Sequence, residues 1–436
     1  MGDGAEPRGR CPISAATGGH DVPTDTPPRS ILCPFDLHVD PVARVLNLEL
    51  ADDPHYTGLE VQWFDDAEHG RGMLVFLERR ADRLVDSYVE PGLVVDRANY
   101  VLGAGTGEWT EVAFEVAELE IDPSGVRCHV AFTDLSGRDI EVEVDDRRPG
   151  ERATGSLLAP VGSAIVEPAS LLLVHLHGFD LVRRGEVPPR VVIDGRQAST
   201  GALPGRALHG RELIKYGAPV TVITLNRAQD GPLRRVSDGD DVRLHVHGIA
   251  ALEGHANADR VRFELRPPFP DIETLPDQHI RTGDWRVFSG ELPELAGGRW
   301  RVHRDGDQVA IDLEVTRGWR PGPLPPLARI VTTVLPVFRR WPTTYRWRGV
   351  VTLGEEPSLR SGWERTGDGG AAYRRATGSG GGPAGPAGDG VRGGPAGPLV
   401  LSTGSTTPSC IERMFVYIGG SGQPQGRSTG QAAPEM

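Results

Sequence analysis

Lysine is all but missing from this sequence: of its 47 basic residues only Lys215 is one, and the rest are arginine. A GC-rich coding bias accounts for the arginines, but the lone amine stands out. Burial can lower a lysine pKa far enough to make a base or nucleophile, which a guanidinium never becomes. Cysteine is scarce too. Cys11, Cys33, Cys128 and Cys410 are scattered without C-x-x-C spacing, which argues against a disulfide framework and a structural zinc site. Positive charge is in deficit, with 60 acidic residues giving a formal net charge of −13, so no global field draws in a phosphate backbone and nucleic acid is not an expected partner. No stretch reaches the ~20 apolar residues of a membrane-spanning helix. The longest candidate, 170–182, is broken by His175, His177 and Asp180. The first 29 residues hold glycine, proline and charges where a secretion signal needs an apolar segment, so the expected setting is the cytoplasm.

Familiar catalytic motifs are absent as well. There is no G-x-S-x-G elbow, P-loop or H-E-x-x-H, and Gly103-Ala104-Gly105-Thr106-Gly107 misses the G-x-G-x-x-G spacing. Neither a cofactor nor a resident metal is expected.

What is present is alternation. Val126, Cys128, Val130 and Phe132 alternate with Arg127, His129, Ala131 and Thr133. After a turn at Leu135-Ser136-Gly137, Ile140, Val142 and Val144 alternate with Glu141 and Glu143. Two strands with one wet face are implied. Similar segments run from Ile31 to about Arg148 and, past a charged Pro/Gly stretch at 145–152, from Gly155 to about Leu353. Long amphipathic helical stretches are absent, and the best helix candidate, Ala207 to Lys215, is short. The expected fold class is all-β and mainly antiparallel, as two barrel-like or sandwich-like units at 30–150 and 151–365. A disordered N-terminus (1–29) and a disordered Gly/Pro-rich tail (366–436) flank them. The tail's apolar patch, Met414 to Ile418, reads as a chance run. Thr106-Gly107-Glu108-Trp109 and Thr282-Gly283-Asp284-Trp285 each precede a hairpin, a faint internal echo.

Three groups of residues bear on function. His175 and His177 share one face of a strand whose other face, Leu172, Val174 and Leu176, is also apolar, so both imidazoles should be buried and need polar partners or a lined cavity. The chain that returns toward Val220 is expected to bring Lys215 to the same site. These three are the candidate catalytic residues. His245 and His247 share a second face, and with Gly239 and Glu253 the run reads G-x5-H-x-H-x5-E. It resembles the first metal motif of cupins, whose His, His and Glu hold a divalent ion, although the spacing to Glu253 is longer. The run from Phe338 to Arg348 interleaves arginine with aromatics. In an acidic chain it is best read as a loop entering a strand, its arginines paired with carboxylates.

Glu60-Val61-Gln62-Trp63-Phe64, followed by Gly72 and Leu74-Val75-Phe76-Leu77, resembles the opening of two-domain lipocalin-like proteins related to carotenoid hydratases. The resemblance implies two barrel-like sheets around an apolar cavity, with acid–base chemistry on an isoprenoid or polyketide-like ligand and no cofactor. The expected function is therefore binding of an apolar small molecule, with isomerase, hydratase or cyclase activity. A cupin-like metalloenzyme and a noncatalytic scaffold are the alternatives.

Overall fold

The structure, a computed structural model, describes residues 30–366 apart from 98–105, 161–167, 181–186, 202–213, 240, 247, 257–258, 291–293, 335–337 and 339. The expected disordered ends and the Met414 patch lie outside these residues. The protein is all-β and almost wholly antiparallel. A six-stranded sheet runs β15 (Ile214–Gly217), β3 (Arg44–Glu49), β4 (Tyr56–Asp66), β5 (Gly70–Arg79), β6 (Val85–Val89), β7 (Thr106–Glu111), and only its last pairing is parallel. A four-stranded sheet runs β11 (Gly155–Ala159), β12 (Leu171–Phe179), β16 (Val220–Leu225), β2 (Leu37–Val42). A five-stranded sheet runs β14 (Arg196–Ala198), β13 (Arg190–Ile193), β10 (Asp139–Asp145), β9 (Gly125–Thr133), β8 (Val116–Asp122). The largest is a nine-stranded meander: β17 (Gln229–Pro232), β26 (Ser358–Arg365), β25 (Tyr345–Thr352), β24 (Gln308–Arg317), β23 (Ala296–Asp305), β22 (Ile280–Ser289), β21 (Asp259–Pro270), β20 (Gly248–Ala256), β19 (Val242–His245). A short pair, β1 (Ser30–Leu32) and β18 (Arg235–Ser237), and one helix, α1 (Pro326–Val334), complete the described elements.

Two cores hold the sheets together. Leu46, Leu48, Leu59, Val61, Val75 and Tyr216 project from one face of the six-stranded sheet onto Val130, Phe132, Ile140 and Val142 of the five-stranded one. The opposite face contributes Val45, Phe64, Leu74 and Phe76 to a second core that runs through the four-stranded sheet into the nine-stranded one. The four-stranded sheet is covered on both sides. On the side of Leu173 and His175, its Val39 is so close to Gly254 of β20 that a methyl there would sit 2.6 Å from Cγ2. On the other side, a methyl on Gly217 would meet Leu176 at 3.0 Å. Burial on both faces is why β12 reads as a continuous apolar run, whereas β9 and β10 alternate and keep one face wet.

The structure departs from the sequence reading at three points. The chain leaves the five-stranded sheet for the four-stranded one near residue 150 but later returns: β13 and β14 extend the β8–β10 sheet and β15 pairs with β3, so strands from 190–217 complete sheets begun before 150. Lys215 lies on a strand, not on a helix ending at 215, because β15 finds a ready partner in β3; residues 207–213 are outside the described part. The helix is α1, which follows Leu324-Pro325-Pro326 and buries Ala328 and Thr332. The two tetrapeptides of the echo also part company, one lying in the parallel edge strand β7 and the other inside the central strand β22. By contrast, the arginines after Trp341 pair as expected, Arg346 with Asp312 and Arg348 with Glu364.

Candidate functional site

The pairing register assembles a polar array on one buried face of the six-stranded sheet. Lys215 of β15 lies opposite Asn47 of β3, and Asn47 opposite Glu60 of β4, so one row runs across three strands. Glu49 and Gln62 lie two residues from Asn47 and Glu60, on the same face. Lys215 Nζ donates to Glu49 Oε1 at 3.1 Å. The Glu60 carboxyl accepts from both flanking amides, Gln62 Nε2 at 2.7 Å and Asn47 Nδ2 at 3.3 Å. Lys215 is 2% exposed, Glu60 3% and Gln62 0%. Gly201 closes over Glu49: a methyl there would be 2.9 Å from Glu49 Cβ.

Burial dominates the electrostatics. It pushes the Glu60 carboxyl up to about 7, against the amide hydrogen bonds and the Lys215 charge that favour the anion. Near neutrality both protonation states of Glu60 are therefore populated. The oxygens of the two amides, Asn47 Oδ1 and Gln62 Oε1, are buried and accept no hydrogen bond from a described residue. Two open acceptors beside a carboxyl that titrates near 7 are suited to holding a hydroxyl or amine and exchanging a proton with it.

The histidine pair is elsewhere. Lys215 shares the strand face of Gly217, which abuts Leu176, whereas His175 and His177 point from the opposite face of β12. The expected meeting of Lys215 with the histidines does not occur, because the four-stranded sheet lies between them. His175 is 0% exposed, its ring centroid lies 4.3 Å from that of His177, and neither of its own ring nitrogens has a hydrogen-bond partner among the described residues. Burial, then the neighbouring His177, lowers its pKa to about 3, so it is neutral. His177 is half-buried, with Nε2 3.0 Å from Thr221 Oγ1.

The described part of the cupin-like run is taken up by ion pairs and solvent. Glu253 is occupied by Arg243 and Arg260, His245 is exposed, and His247 lies outside the described residues. On the five-stranded sheet His129, Glu141 and Glu143 approach one another, but Arg190 binds both carboxylates.

Sequence reasoning also missed a second buried cluster. Asp40 accepts from His38 Nε2 at 2.8 Å and faces His69 Nε2 at 3.5 Å, while His69 Nδ1 contacts Asp66 at 3.0 Å. Burial opposes the Asp40 anion, but the two imidazoles outweigh it and hold the carboxyl down to about 2. Asp40 in turn raises both histidine pKa values.

Glu60 and Gln62 were visible in the sequence only as the polar half of an alternating strand. No sequence signal distinguishes such a face covered by another sheet from one open to water. No family model, curated protein or solved structure matches this chain. Among the described residues no helix is long and apolar enough to cross a membrane.

Proposed function

We propose that this protein binds a mostly apolar small molecule bearing a hydroxyl or amine, and performs acid–base chemistry on it without a cofactor at the Lys215–Asn47–Glu60 row. One observation carries the reading: a buried carboxyl raised to about 7 lies between two amides whose oxygens have no donor among the described residues. Glu60 is the proton-exchanging group in this scheme. Asn47 and Gln62 orient the polar end of the ligand, and Lys215, held by Glu49, favours the Glu60 anion once the proton has left. Val45, Phe64, Leu74 and Phe76 on the same side of the sheet suit an apolar body. His175 and His177 have no part in it.

The test is a fluorescence titration with N-phenyl-1-naphthylamine, a neutral apolar amine, between pH 5.5 and 8.5. Wild type should bind it saturably, with an affinity that changes around a midpoint near 7, and Glu60→Gln should flatten that profile. Absence of saturable binding, or an identical profile in the variant, would leave the array a structural feature of the core.

A further inference from the structure

We infer that the outer face of the nine-stranded sheet carries a second, independent site, for a small hydroxyl-bearing anion such as a phosphate ester or hydroxy acid. A cleft of about 520 Å³ lies over β22–β25, lined among others by Asp284, Arg299, Arg301, Asp312, Glu314 and Arg346. Its size is that of a small-molecule site, for which ~300–1,000 Å³ is usual. The register sets two rows across its floor. Thr282, Arg301 and Asp312 stand side by side, and so do Asp284, Arg299, Glu314 and Arg346.

The pairing of these charges is uneven. Arg346 takes Asp312 at 2.7 Å, and Arg348 reaches the same carboxylate at 3.6 Å. Asp284 is approached by Arg317 at 3.7 Å. Elsewhere on this face Arg262 binds Glu264 and Arg260 binds Glu253. Arg299 and Arg301 lie directly opposite carboxylates, yet neither guanidinium makes a hydrogen bond or ion pair with a described residue, and neither does Glu314.

Two unpaired guanidiniums at i and i+2 of one strand face project in the same direction, about 7 Å apart at the backbone. They repel one another, and an anion set between them relieves that repulsion while offering each fork a bidentate partner. Glu314, beside Arg299 and equally unpaired, supplies the acceptor for a ligand hydroxyl. The floor is firm: the Trp300 indole is packed so closely beneath Gly283 that a methyl there would lie 2.5 Å from it.

Isothermal titration calorimetry at low salt with glycerol 3-phosphate, inorganic phosphate and glycerol tests the site. Glycerol 3-phosphate should bind at one site per chain and more tightly than phosphate, and glycerol should not bind. Arg299→Gln and Arg301→Gln should each weaken the anions about tenfold or more, as loss of a charged hydrogen-bond partner does. Glu314→Leu, which removes the acceptor, should weaken glycerol 3-phosphate about fivefold relative to phosphate, the loss expected for one hydroxyl hydrogen bond. All three positions are exposed, so thermal midpoints should match wild type. Arg299→Lys, which keeps the charge and loses the fork, serves if Arg299→Gln misfolds. No saturable anion binding, binding indifferent to both arginines, or an equal effect of Glu314→Leu on both anions overturns the assignment.

Discussion

Glu60 shows how one residue's surroundings reach the stability of the whole protein. Its carboxyl titrates at about 7 when folded and near its ordinary value of 4.5 when unfolded. As pH rises above 4.5 the unfolded chain releases this proton first. The stability present below 4.5 is therefore lost progressively up to about pH 7, by on the order of 3 kcal/mol. The histidines around Asp40 act in a different window. Their raised pKa values give a contribution that is full below about 6.5 and fades as pH rises through the folded values. His175 works against Glu60 between pH 4.5 and 6.5, because its folded pKa of about 3 leaves the unfolded chain holding the extra proton there. Denaturant melts of wild type should therefore be nearly level up to about pH 6.5 and fall above it. In Glu60→Gln stability should instead rise with pH up to about 6.5, and the fall above it should remain. A variant with the wild-type slope at low pH would show that Glu60 is not held as described.

Among the elements, the strands of the nine-stranded meander are tuned to one another by glycine and tryptophan. Trp285 lies opposite Gly298, Trp300 opposite Gly283, and the Trp347 ring leans over Gly349 of its own strand. Each indole fills the space a side chain would need, which lets three large rings pack within one curved sheet. Gly283→Ala should cost about 1–3 kcal/mol by overpacking Trp300. Gly362→Ala, with nothing within 4 Å of the added methyl, should be neutral to within about 0.5 kcal/mol. Matched urea midpoints for the two variants would contradict this packing. The element boundaries themselves were legible because alternation is local: the hairpin of β9 and β10 follows from which residues are apolar. The helix α1 was not, since a nine-residue segment between long strands gives too few turns for its period to stand out.

At the scale of the molecule, the sheets are shared between distant parts of the chain. Residues 30–150 alone would lack β13, which pairs with β10 and carries β14 on its far edge, β15, which pairs with β3, and β16, which pairs with β2. A 30–150 fragment should expose these edges and fail to fold or aggregate. A 30–366 chain should melt in one cooperative transition within a few degrees of full length, because the Gly/Pro-rich remainder has little apolar surface with which to offset its ordering entropy. Circular dichroism melts decide both points, and a cooperatively folding 30–150 fragment would restore the boundary drawn from composition.

The amino-acid order alone determines the strand content, the two clear hairpins, the acidic surface and the doubly apolar character of 171–179, because each depends on neighbours along the chain. It marks His175, His177 and Lys215 as unusual but not where they go. That His175 and Lys215 lie on opposite sides of a sheet, and that Glu60, Gln62 and Asn47 face a core, was decided by tertiary structure. A period of two states which residues share a face, and only the sheet packed against that face decides whether its polar groups meet water, each other or a ligand.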